Sequence, residues 1–367
     1  MANCMNTYNT IIIIDIISAY NILFYILTEI IEEKMIHEIL YSCVMEYLSF
    51  HSKHNLKRLC HNSYKLKIFN LSDIEHKYLK KINNQILLGY RHTTSLDASY
   101  NKNITDINHM TKLKKLIAHG MCCLGDKGIR KINPRHLDAS FNINITNVNH
   151  MSNLKILQAT WTCGIDNYGL KDIDLEILDI NNNEKITNIN HMTNLKALYA
   201  RKYCGVGDFG MRNITSLRVL DANNNNKISD VNRNIYLEEL YASGTCGVSD
   251  FGILKLNLFI LNADDNKKIS NVNHMTNLKE LYASWTCGIG DDGVKNINPE
   301  LLYVGWNHKI TNINHMTKLK ELNAWSYCGI DNDGIRDLNL EKIYSYHNTK
   351  ITNVKFMTNI KYAFIHH

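Results

Sequence analysis

The chain has 367 residues and a formal net charge of +6, from 41 Lys and Arg against 35 Asp and Glu. Its lysines are scattered, as at Lys112, Lys114 and Lys115, without the basic block of a nucleic-acid-binding tail, so nucleic acid is not the expected partner. Its ten cysteines include no C-x-x-C spacing and no nucleophile elbow, phosphate loop or zinc-protease motif occurs, so zinc, other cofactors and catalysis are not expected.

Residues 1–34 carry the most apolar stretch, Ile11 to Ile31. Asp15, Asn21 and Glu29 interrupt it and no basic residue precedes it, so a buried helix is expected rather than a membrane span. A membrane-anchored receptor is the other reading of this segment, and detergent-dependent solubility would mark it.

Residues 35–75 form a second unit. Ile36, Ile39, Leu40, Cys43, Val44, Tyr47 and Leu48 recur at three- and four-residue steps and make one apolar helical face. After a polar break at His51-Ser52-Lys53, Leu56, Leu59, Cys60 and Tyr64 mark a second amphipathic helix. Two helices this short cannot bury much alone and should pack on something. Glu38-Ile39-Leu40, Tyr47-Leu48-Ser49-Phe50 and the run from Leu56 to Tyr64 resemble an F-box, although Met35-Ile36 stands where its Leu-Pro pair would be and no Trp closes it. The resemblance implies a Skp-type adaptor, joined to a cullin scaffold, as a partner. It implies Ile36, Ile39, Leu40, Val44, Tyr47, Leu48, Leu56, Leu59 and Tyr64 as the adaptor-binding residues.

From residue 76 to 367 the chain repeats. Cys122, Cys163, Cys204, Cys246, Cys287 and Cys328 follow one another at 41 or 42 residues. Each period splits into two halves whose key leucines fall at Leu96, Leu116, Leu137, Leu157, Leu178, Leu198, Leu220, Leu240, Leu261, Leu281, Leu302 and Leu322, with Ile343 and Ala363 continuing the series. A unit of 20 to 22 residues matches the leucine-rich repeat, with one strand per unit. Leu198 and Ala200 alternate with Tyr199, so two side chains enter a core while one faces out. Asn or Cys follows the strand where the chain turns away, and can satisfy backbone groups there. Asp208-Phe209-Gly210-Met211 and its equivalents read as a turn into a short helix, with Asp at the helix start supplying the turn chemistry.

The expected fold is α/β: a leucine-rich-repeat solenoid with a curved parallel sheet of about fourteen strands, and a small all-α F-box-like or capping region before it. Cys287-Gly288-Ile289-Gly290-Asp291-Asp292-Gly293-Val294 resembles the cysteine-containing repeats of F-box proteins. Here the cysteine lies four residues after the core Ala, where that family shows three, which predicts one bulged residue. The combination with Asn- and Ile-rich repeats is similar to proteins of amoeba-infecting giant viruses, which would make the adaptor and cullin scaffold the host's.

Ladder cysteines two strands apart lie about 10 Å from one another, too far for a disulfide. Buried free thiols are therefore expected, in a reducing intracellular compartment such as a host cytoplasm or nucleus. The recurring Asn-His-Met, as at Asn149-His150-Met151, is read as a solvent-facing His in a convex turn beside a Met that fills the core.

The residues after the core leucines should line the concave face, acidic in the first half (Asp97, Asp138, Asp179) and rich in tyrosine in the second. Tyr199, Asp221, Tyr241, Tyr282, Tyr303, Trp325 and Tyr344 are the candidate partner-binding residues, because exposed aromatics on a rigid sheet anchor interfaces. Repeat duplication alone also accounts for part of this row. The F-box resemblance implies a substrate-recognition subunit of an SCF-type ubiquitin ligase, binding a target protein and no small-molecule substrate. The alternative is a stand-alone interaction scaffold whose first 90 residues only cap the solenoid.

Overall fold

The structure is a computed structural model, and it describes residues 82–365. The apolar stretch from Ile11 to Ile31 and every adaptor-binding candidate from Ile36 to Tyr64 lie outside the described residues.

Fourteen three-residue strands run in chain order across one sheet. The first seven are β1 (Ser95–Asp97), β2 (Lys115–Ile117), β3 (His136–Asp138), β4 (Ile156–Gln158), β5 (Ile177–Asp179), β6 (Ala197–Tyr199) and β7 (Val219–Asp221). The rest are β8 (Glu239–Tyr241), β9 (Ile260–Asn262), β10 (Glu280–Tyr282), β11 (Leu301–Tyr303), β12 (Glu321–Asn323), β13 (Lys342–Tyr344) and β14 (Tyr362–Phe364). Every pair is parallel and in one register, so Leu198 sits between Leu178 and Leu220. Leu198 and Ala200 are fully buried and Tyr199 is half-buried, as the alternation requires. Each central leucine removed from water contributes about 1.5–3 kcal/mol, renewed at every repeat.

The return side differs between the two halves. Cysteine-bearing repeats fold a single helical turn there: α2 (Asp126–Ile129), α3 (Asp208–Met211), α4 (Asp250–Ile253) and α5 (Asp291–Val294), or a 3-10 turn at Tyr168–Leu170 and Asp333–Ile335. Their third residue or its equivalent is glycine for a steric reason. A Cβ at Gly252 would stand 2.0 Å from the carbonyl oxygen of Ser229 in the preceding repeat. The glycine carbonyl in turn accepts from Val231 N at 3.0 Å, so two backbones touch where no side chain fits.

The opening Asp does not cap its own helix, as the sequence suggested. The Asp250 carboxylate reaches forward instead. It accepts from Ser270 N at 2.7 Å, Ser270 Oγ at 2.6 Å and Asn271 N at 3.1 Å. These bonds explain why Lys-Ile-Ser/Thr-Asn/Asp recurs: the hydroxyl, its own amide and the following amide meet a carboxylate one repeat back. Asn84, in α1 (Asn84–Leu87), does the same for Thr105. The carbonyl of Ile82 accepts from Asn101, so residues 82–90 occupy the place of a return side belonging to a repeat before Leu96. The solenoid therefore begins earlier than its first leucine-bearing strand.

Asparagine and cysteine alternate beneath the turns. Asn266, fully buried, donates Nδ2 to Ala242 O at 2.7 Å and Val248 O at 3.1 Å, and its Oδ1 accepts from Lys268 N at 2.9 Å. Those two carbonyls flank Cys246, so each Asn satisfies the turn of the cysteine repeat before it. All six ladder cysteines are buried and free, while Cys123 is exposed and free. The residue before the cysteine bulges outward, with Met121, Tyr203 and Tyr327 more than 70% exposed. The turn bond closes accordingly one residue later, Cys163 N to Thr160 O against Asn142 N to Ala139 O.

The histidines are not simply solvent-facing. His109, His150, His191, His274 and His315 each donate Nε2–H to a carbonyl of the preceding repeat, at 2.9 to 3.1 Å. They stitch repeats together, and the following methionines are fully buried.

Candidate functional site

The strand pattern leaves three rows on the open face: the residues flanking each central leucine, and the residue after the core Ala. The next residue along starts the turn with a left-handed backbone. Tyr100, Phe141, Trp161, Trp285 and Trp306 hold it at φ between 54° and 63°. Asn182, Lys202, Asn224, Gly244 and Asp265 hold the equivalent position in other repeats. The turn thus asks for no aromatic ring. Asn or Gly suits it better, since a left-handed residue with a bulky side chain costs roughly 1–2 kcal/mol.

All five of these aromatics and their neighbours gather in two clusters. Toward the amino end, Tyr100, His119, Phe141 and Trp161 follow one another at ring-centroid distances of 5.3, 5.4 and 5.4 Å. Toward the carboxyl end, Trp285 lies parallel to Trp306 at 5.4 Å and 9°. Trp325 crosses both nearly at right angles, at 5.4 and 6.1 Å, and Tyr327 leans on Trp306 at 4.7 Å. Gly305 makes room for this: a Cβ there would stand 1.9 Å from Trp325 Nε1. Trp285 keeps 46% of its surface open to solvent.

The tyrosine row lies beside the second cluster. Tyr282 and Tyr303 stack at 4.8 Å. The hydroxyls of Tyr241, Tyr282 and Tyr303 donate to Glu239, Glu280 and Glu321 at 3.1, 3.1 and 3.3 Å. Burial, helped by Glu239, pushes the Tyr241 phenol up to about 12. Tyr282 is raised by burial and by Glu280. Each phenol is therefore a fixed donor to a carboxylate. Tyr344 stacks on Phe364 at 5.5 Å, at the last strand pair.

Asp221 differs from its neighbours among the candidates. It is 1% exposed, and Arg201 Nε donates to its Oδ2 at 2.6 Å while a second guanidinium nitrogen pairs with the same oxygen. The carboxylate is consumed inside the sheet, and the exposed group at this point is the Arg201 guanidinium. Asp179, beside it, is raised by burial. Tyr199 lines this polar middle, between the two aromatic clusters.

Sequence reasoning singled out Trp325 and the tyrosine row but passed over Trp285, Trp306, Tyr327 and the whole amino-terminal cluster. A signal was present. In these repeats a Trp, Phe or Tyr stands two residues past the core Ala or Val, where sister repeats carry Asn or Gly. Reading it needed the knowledge that this position turns left-handed and onto the rim of the open face.

Among the described residues no group of three or more His, Cys, Asp or Glu could hold a metal ion. None of their helices is long and apolar enough to cross a membrane.

No protein-family model matches the sequence, and no curated protein matches it. Several solved structures are similar to it in part. The functional domain of InlJ from Listeria monocytogenes, described as including a cysteine ladder, is 16% identical with a TM-score of 0.48, over 77% of this chain and 60% of that one. The LRR protein LIC12759 of Leptospira interrogans is 16% identical with a TM-score of 0.46, over 82% of this chain and 95% of that one. TLR13 in complex with a single-stranded RNA is 15% identical with a TM-score of 0.43, over 72% and 48%. The chain thus spans less than two thirds of the InlJ domain's length. One strand per 20 to 22 residues, one parallel sheet and an Asn–Cys ladder decide the architecture. This fold is a leucine-rich-repeat solenoid.

Proposed function

We propose that this leucine-rich-repeat chain is a non-catalytic protein-binding scaffold, and specifically the substrate-recognition subunit of an SCF-type ubiquitin ligase. The observation that carries the scaffold reading is the set of tryptophans at left-handed turn positions. Rings held there against local preference, on a rigid sheet, suit a macromolecular partner. The ligase reading adds the F-box-like segment of residues 35–66 immediately before the repeats. In it the segment recruits a Skp-type adaptor, the adaptor joins a cullin scaffold, and the open face holds the target near the conjugating enzyme. Proximity does the work, with no active site in this chain. The reading belongs to a reducing intracellular compartment, a host cytoplasm or nucleus.

The test is a pull-down of an amoebal Skp adaptor by the full chain and by a variant carrying Ile39→Ala, Leu40→Ala and Leu48→Ala. Adaptor capture by the first and loss by the second, with circular dichroism unchanged, is the expected result. No capture by the unaltered chain would leave the stand-alone scaffold, whose amino-terminal helices only cap the repeats.

A further inference from the structure

The chain as a whole is basic, at +6. Its open face around the tryptophan cluster has the opposite sign. Glu239, Glu280 and Glu321 stand in one row on β8, β10 and β12, separated by Ile260 and Leu301 on the strands between. Asp264 and Asp265 follow β9 and abut the tryptophans directly: Asp264 Oδ1 accepts from Ser284 N at 2.7 Å, and Asp265 bonds Thr286 Oγ1. Ser284 and Thr286 flank Trp285.

Some carboxylates of this molecule find cations, while return-side acids such as Asp208, Asp250 and Asp291 are held by a hydroxyl and amides of the next repeat. Arg218 pairs with Glu238 at 2.7 Å, and Lys320 with Glu300 and Lys361 with Glu341 at 2.6 Å each, across neighbouring strands. On the open face Glu321 has Lys342 at 3.0 Å. Among the described residues, Glu239, Glu280, Asp264 and Asp265 have no Lys or Arg within 4.0 Å. Asp264 is moreover raised by burial, with only backbone and hydroxyl donors and no cation to hold its charge. Asp264 and Asp265 flank the exposed Trp285, and Glu239 and Glu280 lie beside the tyrosine row, so this surface attracts cations by charge and offers them an aromatic ring.

We propose that the open face from β8 to β12 binds a basic polypeptide segment of the partner, its Lys or Arg side chains set between these carboxylates and the Trp285–Trp306–Trp325 cluster. The inference rests on the protein-binding reading above and names the chemistry of the partner. Successive glutamates lie two strands, about 10 Å, apart. That spacing suits cationic side chains seven residues apart on a helix, at about 1.5 Å per residue.

The experiment pans the full chain against a random peptide display library at physiological salt, then measures the selected peptides by fluorescence anisotropy. A second protein carries Glu280→Gln, Asp264→Asn and Asp265→Asn. A third carries Asp172→Asn, Asp292→Asn and Asp337→Asn, the same change of charge on the return side. Selected sequences rich in Lys and Arg, weakened at least about tenfold by the first triple and unaffected by the second, are expected. Trp306→Asn should weaken them as well. Selected sequences without basic residues that still lose affinity with Trp306→Asn would overturn the basic inference and keep the scaffold. No selected peptide, or preferential binding of a single-stranded RNA oligonucleotide over every peptide, would overturn both.

Discussion

Six cysteines, Cys122, Cys163, Cys204, Cys246, Cys287 and Cys328, share one environment. Burial pushes Cys204 and Cys287 up to about 12 and the others to about 11, although each thiol is close to a backbone N–H two residues on, as in Leu124 N to Cys122 Sγ at 3.4 Å. An unfolded chain releases these protons near pH 8.5, so the folded state binds them more tightly. The stability they contribute is complete below about pH 8.5 and declines as pH rises from there toward 11. Urea midpoints should accordingly fall between pH 7.5 and 10, and a Cys204→Val variant should fall less steeply. Iodoacetamide at pH 7.5, mapped peptide by peptide, should modify Cys123 in the native protein and the six ladder thiols only in denaturant. Rapid native labelling of any ladder cysteine would contradict the buried assignment. Asn266→Ala removes three hydrogen bonds and strands two buried carbonyls, and should cost about 2–4 kcal/mol in urea unfolding.

At the scale of the element, each repeat is too small to stand alone. A three-residue strand and one helical turn gain their order from the repeats on either side. The return-side glycine is where that dependence is most acute. Gly252→Ala sets a methyl group 2.0 Å from a backbone oxygen that cannot rotate away. It should destabilise the protein by about 1–3 kcal/mol or more, read as a lower melting temperature. The left-handed turn behaves oppositely. Trp306→Asn exchanges a ring for a residue that the same turn already holds at Asn182 and Asn224, so the melting temperature should hold while partner binding falls. A large loss of stability instead would make the tryptophans packing residues.

Over the whole molecule, stability is a sum of neighbour terms running along one axis. The last strand contributes least: Tyr362, Ala363 and Phe364 are all exposed, and nothing among the described residues pairs beyond β14. Amide hydrogen exchange should be fastest at β13 and β14 and slowest in the middle strands. Uniform protection to the end of β14 would show that this end is covered in solution.

Repeat length, strand number, core leucines, the ladder of free thiols and the bulged residue before each cysteine were all legible in the one-dimensional pattern. The bulge came from comparison with the cysteine-containing repeats it resembles, and the rest follow from spacing, because a solenoid turns sequence period directly into spatial neighbourhood. Three things were not legible, and all depend on which atoms of adjacent repeats meet. Asp250 reads as a helix cap until its carboxylate is seen bonding the next repeat. Asp221 reads as an exposed acid until Arg201, one repeat back, closes over it. Trp285 and Trp306 read as scattered residues until the left-handed turn places them beside Trp325 above Gly305. The period and the inward face are properties of a single repeat, and the order of residues carries them. Which polar groups are consumed between repeats, and which charges and rings remain on the open face, depends on atoms that meet only when neighbouring repeats stack.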